Sequence, residues 1–294
     1  MGVDIFFVIS GFIMSYTTFN KPRSTNSAKT FLRHRLYRIY LGYWPFYFIM
    51  IITLWLTNPY ILQNLDILNS FLLTNTSMST LVLPISWSLS YELYFYALFV
   101  FTFLFSIKQL YILIPIFTSF ILFLVLYSFF NINFSQNFFY SHFLLEFFSG
   151  VLLYMYKEKL TKIWFLPLSV ICIIVTYGYG INYEIKNGLF RVFTFGLGAL
   201  FVVQTALILE QKNLYPQITL IEDLGNASYT LYLSHLILIH IFYFSGLRDF
   251  FNSQNILLPL AGFFTILVLC IAFSLWYYKI IERPIYTKAV HLGK

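Results

Sequence analysis

The chain has 294 residues, 60% of them apolar and 10% charged, with a mean hydropathy of +0.77. A soluble domain carries roughly 25% charged residues, so this composition excludes one. The net charge of +7 does not point to nucleic acid, because the basic residues gather in segments between apolar runs, as membrane topology requires. Those runs are long enough to cross about 30 Å of hydrocarbon. The sequence predicts an all-α, polytopic transmembrane helix bundle: one membrane domain over residues 1–294, with no soluble domain. Nine spans are expected, near 3–19, 39–57, 81–106, 110–130, 141–156, 164–180, 191–209, 228–245 and 256–278. Cys172 and Cys270 both fall inside apolar runs, so they suggest neither a disulfide framework nor a metal site.

In chain order, the first span opens with GVDIFFVISGF, Gly2 to Phe12. Asp4 stands at its boundary, where a carboxylate either caps the first turn against the helix dipole or serves a functional role. Ser10 and Gly11 follow about two turns deeper, and small residues there permit close helix approach. The stretch FLRHRLYRIY, Phe31 to Tyr40, sets Arg33, Arg35 and Arg38 at the entrance of the second span. Basic residues at such an entrance answer to topology and anionic headgroups. They also suit a phosphate, which the forked guanidinium binds in bidentate fashion.

In SWSLSYELYFY, Ser86 to Tyr96, Glu92 is an acid inside the third span, with Ser88 one turn before it on the same face. A charge near mid-membrane costs at least about 2.5–3.5 kcal/mol, so one that is retained has a partner or a task. Glu92 is a candidate base, or a group that orients a histidine or binds a hydroxyl; the structural alternative is a partner for arginine or tyrosine. Glu146, one turn after His142, is a similar candidate in the fifth span. The eighth span holds Ser228, Tyr229, Tyr232, His235 and, deeper, His240. A single histidine on an apolar helix is a packing residue or a catalyst, and His235 is the better placed of the two. Glu282-Arg283-Pro284 reads as the end of a helix.

With loops assigned alternately to the two faces, fifteen lysines and arginines fall on one side and three, Lys186, Arg191 and Arg248, on the other. By the positive-inside rule the rich side is cytoplasmic. This places a multi-pass protein in the cytoplasmic (inner) membrane with its C-terminus in the cytoplasm. No Walker loop, dinucleotide fingerprint, zinc spacing or G-x-S-x-G elbow occurs, and no internal repeat of the transporter kind is visible.

Taken in order, GVDIFFVISGF, FLRHRLYRIY, SWSLSYELYFY, FFSGVLLYMY (147–156), ASYTLYLSHLILI (227–239) and IERP (281–284) resemble the acyltransferase 3 family of membrane acyltransferases. The resemblance covers essentially the whole chain. It implies an enzyme that moves an acyl group, most often acetyl, from cytoplasmic acyl-CoA to a hydroxyl of a cell-envelope polysaccharide, such as O-antigen or exopolysaccharide, or of its lipid-linked precursor. By that resemblance Arg33, Arg35 and Arg38 hold the CoA phosphates, Glu92 positions the acceptor or a histidine, and Asp4 and Ser10 line the same region. His235 with Ser228 and Tyr229 matches a family element in the helix core. The expected partners are acyl-CoA, the glycan acceptor and membrane lipids, with no nucleic acid and no metal.

The family pattern has ten helices, the first bearing an arginine and, about three turns on, a histidine thought to be the general base. None of His34, His142, His235, His240 and His291 occupies that place. The nine spans match the pattern from its second helix onward. The expectations are a longer chain in which Met1 is internal, a decayed gene and inactive fragment, or a nine-helix protein that draws its base from Glu92 or His235. A transporter or flippase for a lipid-linked glycan is the alternative class.

Overall fold

The computed structural model describes residues 2–130, 138–182, 191–215, 218–247, 251 and 257–292, and the described residues contain helices and no strand. Seven helical stretches are long and apolar enough to cross a membrane: Thr25–Thr57, Pro84–Leu104, Ile107–Ser128, Phe138–Met155, Val192–Gln211, Thr219–Phe244 and Leu257–His291. The other two expected spans coincide with shorter apolar helices, Gly2–Thr18 and Ile163–Tyr179. Each has 17 residues, at the lower limit for a membrane span, so among the described residues seven helices pass the length criterion and these two of the nine expected spans sit at its edge. Large apolar side chains such as Ile112, Ile116, Phe123, Phe263, Phe264 and Val268 face outward, as a lipid-exposed surface demands. The chain is an integral membrane protein.

Two compact units divide the chain. The first comprises Met1–Phe31 and Tyr94–Pro216, the second Leu32–Leu93 and Gln217–Lys294.

In the first unit, helix α1 (Gly2–Thr18) packs along α6 (His142–Met155). The fit depends on two glycines used reciprocally. A Cβ on Gly11 would stand 1.9 Å from the Phe147 carbonyl oxygen, and one on Gly150 would stand 1.9 Å from the Val8 carbonyl oxygen. The two backbones therefore touch, as small residues at a membrane helix crossing allow. Phe7 of α1 meets Phe95 and Phe143, each at 5.2 Å between ring centroids, and Phe95 stacks on Phe147 at 4.7 Å. Val8, Leu153, Ala199 and Val203 form an aliphatic cluster beside them. Helix α5 (Ile107–Phe130) also packs on α6, and α7 (Leu166–Asn182) on α8 (Leu197–Gln211). A π-turn, Val192–Gly196, leads into α8.

In the second unit, α2 (Thr25–Thr57) starts fourteen residues before the apolar span that the sequence marks at 39. The Arg-rich stretch is therefore helical, not a loop leading to the span. Its start is fixed by Ser24, whose Oγ accepts from the Ser27 amide at 3.2 Å, satisfying a donor that the first turn leaves open. Tyr40, Tyr43, Trp44 and Tyr47 lie on one face of α2 and donate to the carbonyls of Leu72, Ser70, Phe71 and Ile67 at 2.9, 2.8, 3.3 and 2.8 Å. Those carbonyls belong to α3 (Ile67–Leu72), which Asp66 caps by accepting from the Asn69 amide and which ends at Leu73 with φ of 56°. Helix α4 (Trp87–Val100), which follows a 3-10 turn, Pro84–Ser86, belongs to this unit as far as Leu93 and to the first from Tyr94. Helix α9 (Thr219–Phe244) packs on α10 (Leu257–Tyr277), which passes through a π-turn, Tyr278–Glu282, into α11 (Arg283–Leu292).

Candidate functional site

A cleft of about 330 Å³ opens in the second unit, lined by Arg35 and Arg38 of α2, Gly225 and Asn226 of α9, and Tyr278, Arg283 and Tyr286 from the C-terminal π-turn and α11. Arg35 and Arg38 are three residues apart, so they share a helix face. Arg33 is two residues from Arg35, about 200° around the helix, and is not part of the cleft wall; its Nε is buried with no hydrogen-bond partner among the described residues. The sequence treats the three arginines as one group, and helix geometry separates them. Arg283, which the sequence assigns to a helix end, supplies the third guanidinium of the cleft.

Arg38 is held on two sides. Its Nη1 donates to Glu282 Oε1 at 2.5 Å, and its guanidinium lies over the Tyr229 ring, 4.9 Å from the centroid. Glu282 Oε2 accepts a short hydrogen bond from Thr230 Oγ1. The Tyr229 hydroxyl donates to the Ile39 carbonyl at 3.0 Å. Gly42 makes room for this ring, since a Cβ there would stand 2.3 Å from Tyr229 Cε1.

Glu92 is 6% exposed on α4 and lies within electrostatic range of both Tyr229 and Tyr232. Tyr229 is thus common to the surroundings of Arg38 and of Glu92. Ser88, one turn before Glu92, places its Oγ 2.8 Å from the Tyr232 hydroxyl, which donates to the Ile85 carbonyl at 2.7 Å. His235 turns Nδ1 toward the Tyr232 carbonyl at 2.8 Å. A carbonyl only accepts, so Nδ1 carries a proton, and in the neutral ring the lone pair is then on Nε2. His240 Nε2 lies 2.9 Å from Thr57 Oγ1, a hydrogen bond between the two side chains. Ser228 is exposed and donates to the Gly225 carbonyl on its own helix.

In the first unit, Asp4 is fully buried and paired with Arg191, whose Nη2 stands 2.9 and 3.0 Å from its two oxygens. The Arg191 guanidinium also packs at 5.5 Å on Phe143 and 5.8 Å on Phe195. The Glu146 carboxyl, 2% exposed, lies against Asp4 and beside Gly196 of the π-turn, where a Cβ would meet Glu146 Oε1 at 3.2 Å. Ser10 is buried further along α1, next to the Gly11 crossing. Arg23, beyond the end of α1, lies between the Phe19 and Phe103 rings at 5.4 and 5.3 Å, and burial lowers its pKa from the usual arginine value.

A family model described as an acyltransferase domain matches residues 1–278. The chain belongs to the acyltransferase 3 family. It is a membrane acyltransferase, and no curated protein and no solved structure matches it. Within this acyltransferase 3 chain, the residues named from sequence divide between the units: Arg33, Arg35, Arg38, Glu92 and His235 lie in the second, Asp4 and Ser10 in the first. Four residues escape the sequence reading. Arg191 is counted there only as a loop charge, although it and Asp4 are expected at the same face of the membrane, which is the signal that pairs them. Glu282 and Arg283 read in sequence as the end of a helix, whereas Glu282 pairs with Arg38 and Arg283 lines the cleft. Gly42 carries no sequence signal beyond being small.

Proposed function

We propose that the chain transfers an acyl group, with acetyl as the leading case, from acyl-CoA to a hydroxyl of a cell-envelope polysaccharide or of its lipid-linked precursor. The observation that carries this reading is the cleft with Arg35, Arg38 and Arg283 in its wall. Three guanidiniums with tyrosine and asparagine between them suit a polyanion bearing a nucleotide, and the volume lies within the usual range of small-molecule sites. Arg35, Arg38 and Arg283 hold the CoA phosphates, and Arg33 adds charge from outside the cleft. The thioester supplies an activated acyl carbon. The acceptor oxygen bonds to that carbon as the carbon–sulfur bond breaks, and the hydroxyl proton ends on the departing sulfur.

Glu92 is the candidate to receive that proton from the acceptor hydroxyl, with Tyr229 and Tyr232 beside it. His235, with the Nε2 lone pair available, is the second candidate for the base. Asp4 and Ser10 lie in the first unit, where Asp4 is the partner of Arg191. The charge distribution favours the cytoplasmic membrane, with the C-terminus and the arginine cleft on the cytoplasmic side, where CoA is available.

Membranes containing the chain, incubated with radiolabelled acetyl-CoA, are expected to pass label to envelope glycan, and to lose that transfer with Glu92→Gln. Export of the glycan with no acetyl transfer from the intact protein refutes the reading.

A further inference from the structure

Glu282 is buried and charged, and the transfer described above gives it no part. Its two oxygens are both engaged, one by Arg38 Nη1 and one by Thr230 Oγ1. Arg38, by contrast, has a side chain 33% exposed and forms part of the cleft wall. Glu282 is the buried last residue of the π-turn Tyr278–Glu282, and the residue that follows it, Arg283, lines the cleft. One turn therefore supplies a cleft arginine and also the anchor of another. With the Tyr229 ring against its face and Gly42 clearing the space for that ring, the Arg38 guanidinium has one edge on a carboxylate and one face on an aromatic surface. An arginine on a flexible stem has no fixed orientation until such contacts supply one.

We propose that Glu282 is a positioning residue, holding the Arg38 guanidinium in the orientation in which an anionic phosphate of the acyl donor meets it. This rests on the reading of the cleft as the donor site. Glu282 does not touch the donor, and it acts only through Arg38. Its charge also opposes the positive field of the cleft, which gives the idea a clear sign. If Glu282 merely weakened that field, removing its charge would tighten donor binding. Positioning predicts the opposite.

Glu282→Gln keeps an acceptor for Thr230 and almost the same shape, and it removes the charge-assisted bond to Arg38. In purified full-length protein the KM for acetyl-CoA and the dissociation constant for CoA are expected to rise about fivefold to tenfold, with kcat within about twofold of the parent. In an Arg38→Ala background the same substitution is expected to change neither quantity further, the non-additivity of a residue that works through another. Tighter donor binding by Glu282→Gln, or an equal loss in both backgrounds, overturns the positioning role. Binding of CoA by the parent that Glu282→Gln leaves unchanged overturns it as well, while the donor reading stands. Absence of CoA binding by the parent protein overturns both.

Discussion

Replacing Gly150 by alanine tests the crossing of α1 and α6. The new Cβ would stand 1.9 Å from the Val8 carbonyl oxygen, 2.9 Å from its carbon and 3.0 Å from the Phe12 amide nitrogen. All three are backbone atoms, so no side-chain rotation relieves the overlap. An ordinary carbon–oxygen contact is roughly 3.3 Å, so the two helices must separate by more than 1 Å. That separation thins the packing of Phe7, Val8 and Leu153, because a gap of 0.5–1 Å already forfeits roughly a quarter to a half of each contact. Alanine regains about 1 kcal/mol of helix propensity, against a cost of about 1–3 kcal/mol for overpacking plus the lost contacts. A net destabilisation of about 2 kcal/mol is expected. Gly11→Ala meets the Phe147 carbonyl at the same 1.9 Å and demands the same movement. The double variant should therefore cost clearly less than the sum of the two singles, since one separation accommodates both. Thermal unfolding of the detergent-solubilised protein, followed by size-exclusion or intrinsic fluorescence, measures this as a fall of about 4–8 °C for each single variant. A Gly150→Ala protein as stable as the parent, or strictly additive losses in the double variant, refutes the argument.

Arg191→Leu leaves the Asp4 carboxylate buried without its guanidinium, and the loss is expected to reach about 3 kcal/mol. Adding Asp4→Asn should recover a good part of it, and the thermal midpoints of the two proteins provide the check; no recovery means that Arg191 acts by packing on Phe143 and Phe195 alone. Arg283→Ala is expected to raise the KM for acetyl-CoA about tenfold, whereas Arg33→Ala, outside the cleft wall, should change it by no more than about twofold. Steady-state kinetics over a range of donor concentrations separates the two, and an equal effect of both substitutions contradicts the assignment of the cleft.

The spans are legible in the sequence because apolar length is a local property that survives folding: each expected span coincides with a helix. The earlier start of α2 was also readable, at Ser24, yet the charges between Lys29 and Arg38 suggest a loop to any reading that weighs hydropathy alone. Ser10-Gly11 shows a pattern read correctly for its packing consequence, since Gly11 is where α1 touches α6. Long-range pairs are another matter. Asp4 and Arg191 are 187 residues apart in sequence and Arg38 and Glu282 are 244 apart, and nothing local announces either pair. Glu282 was hidden by its setting, because Glu-Arg-Pro after an apolar run reads as the end of a helix. The π-turn Tyr278–Glu282 adds an extra residue to the helical repeat, a change that no heptad or 3.6-residue pattern encodes.

The four aromatic donors of α2 that grip α3 bear on how this segment tolerates change in length. Tyr40, Tyr43, Trp44 and Tyr47 recur at the helical repeat, and each meets a particular carbonyl between Ile67 and Leu72. A single residue inserted within 67–72 would rotate the carbonyls by about 100° and unseat several of these bonds together. The preceding stretch, Asn58–Leu65, makes one backbone bond to α2, Asn58 to Leu54, and no such set of side-chain bonds among the described residues, so it can lengthen. Insertions and deletions among natural variants should therefore collect before Asp66 and stop there, so that a connection resembling a tether in sequence behaves as a ruler.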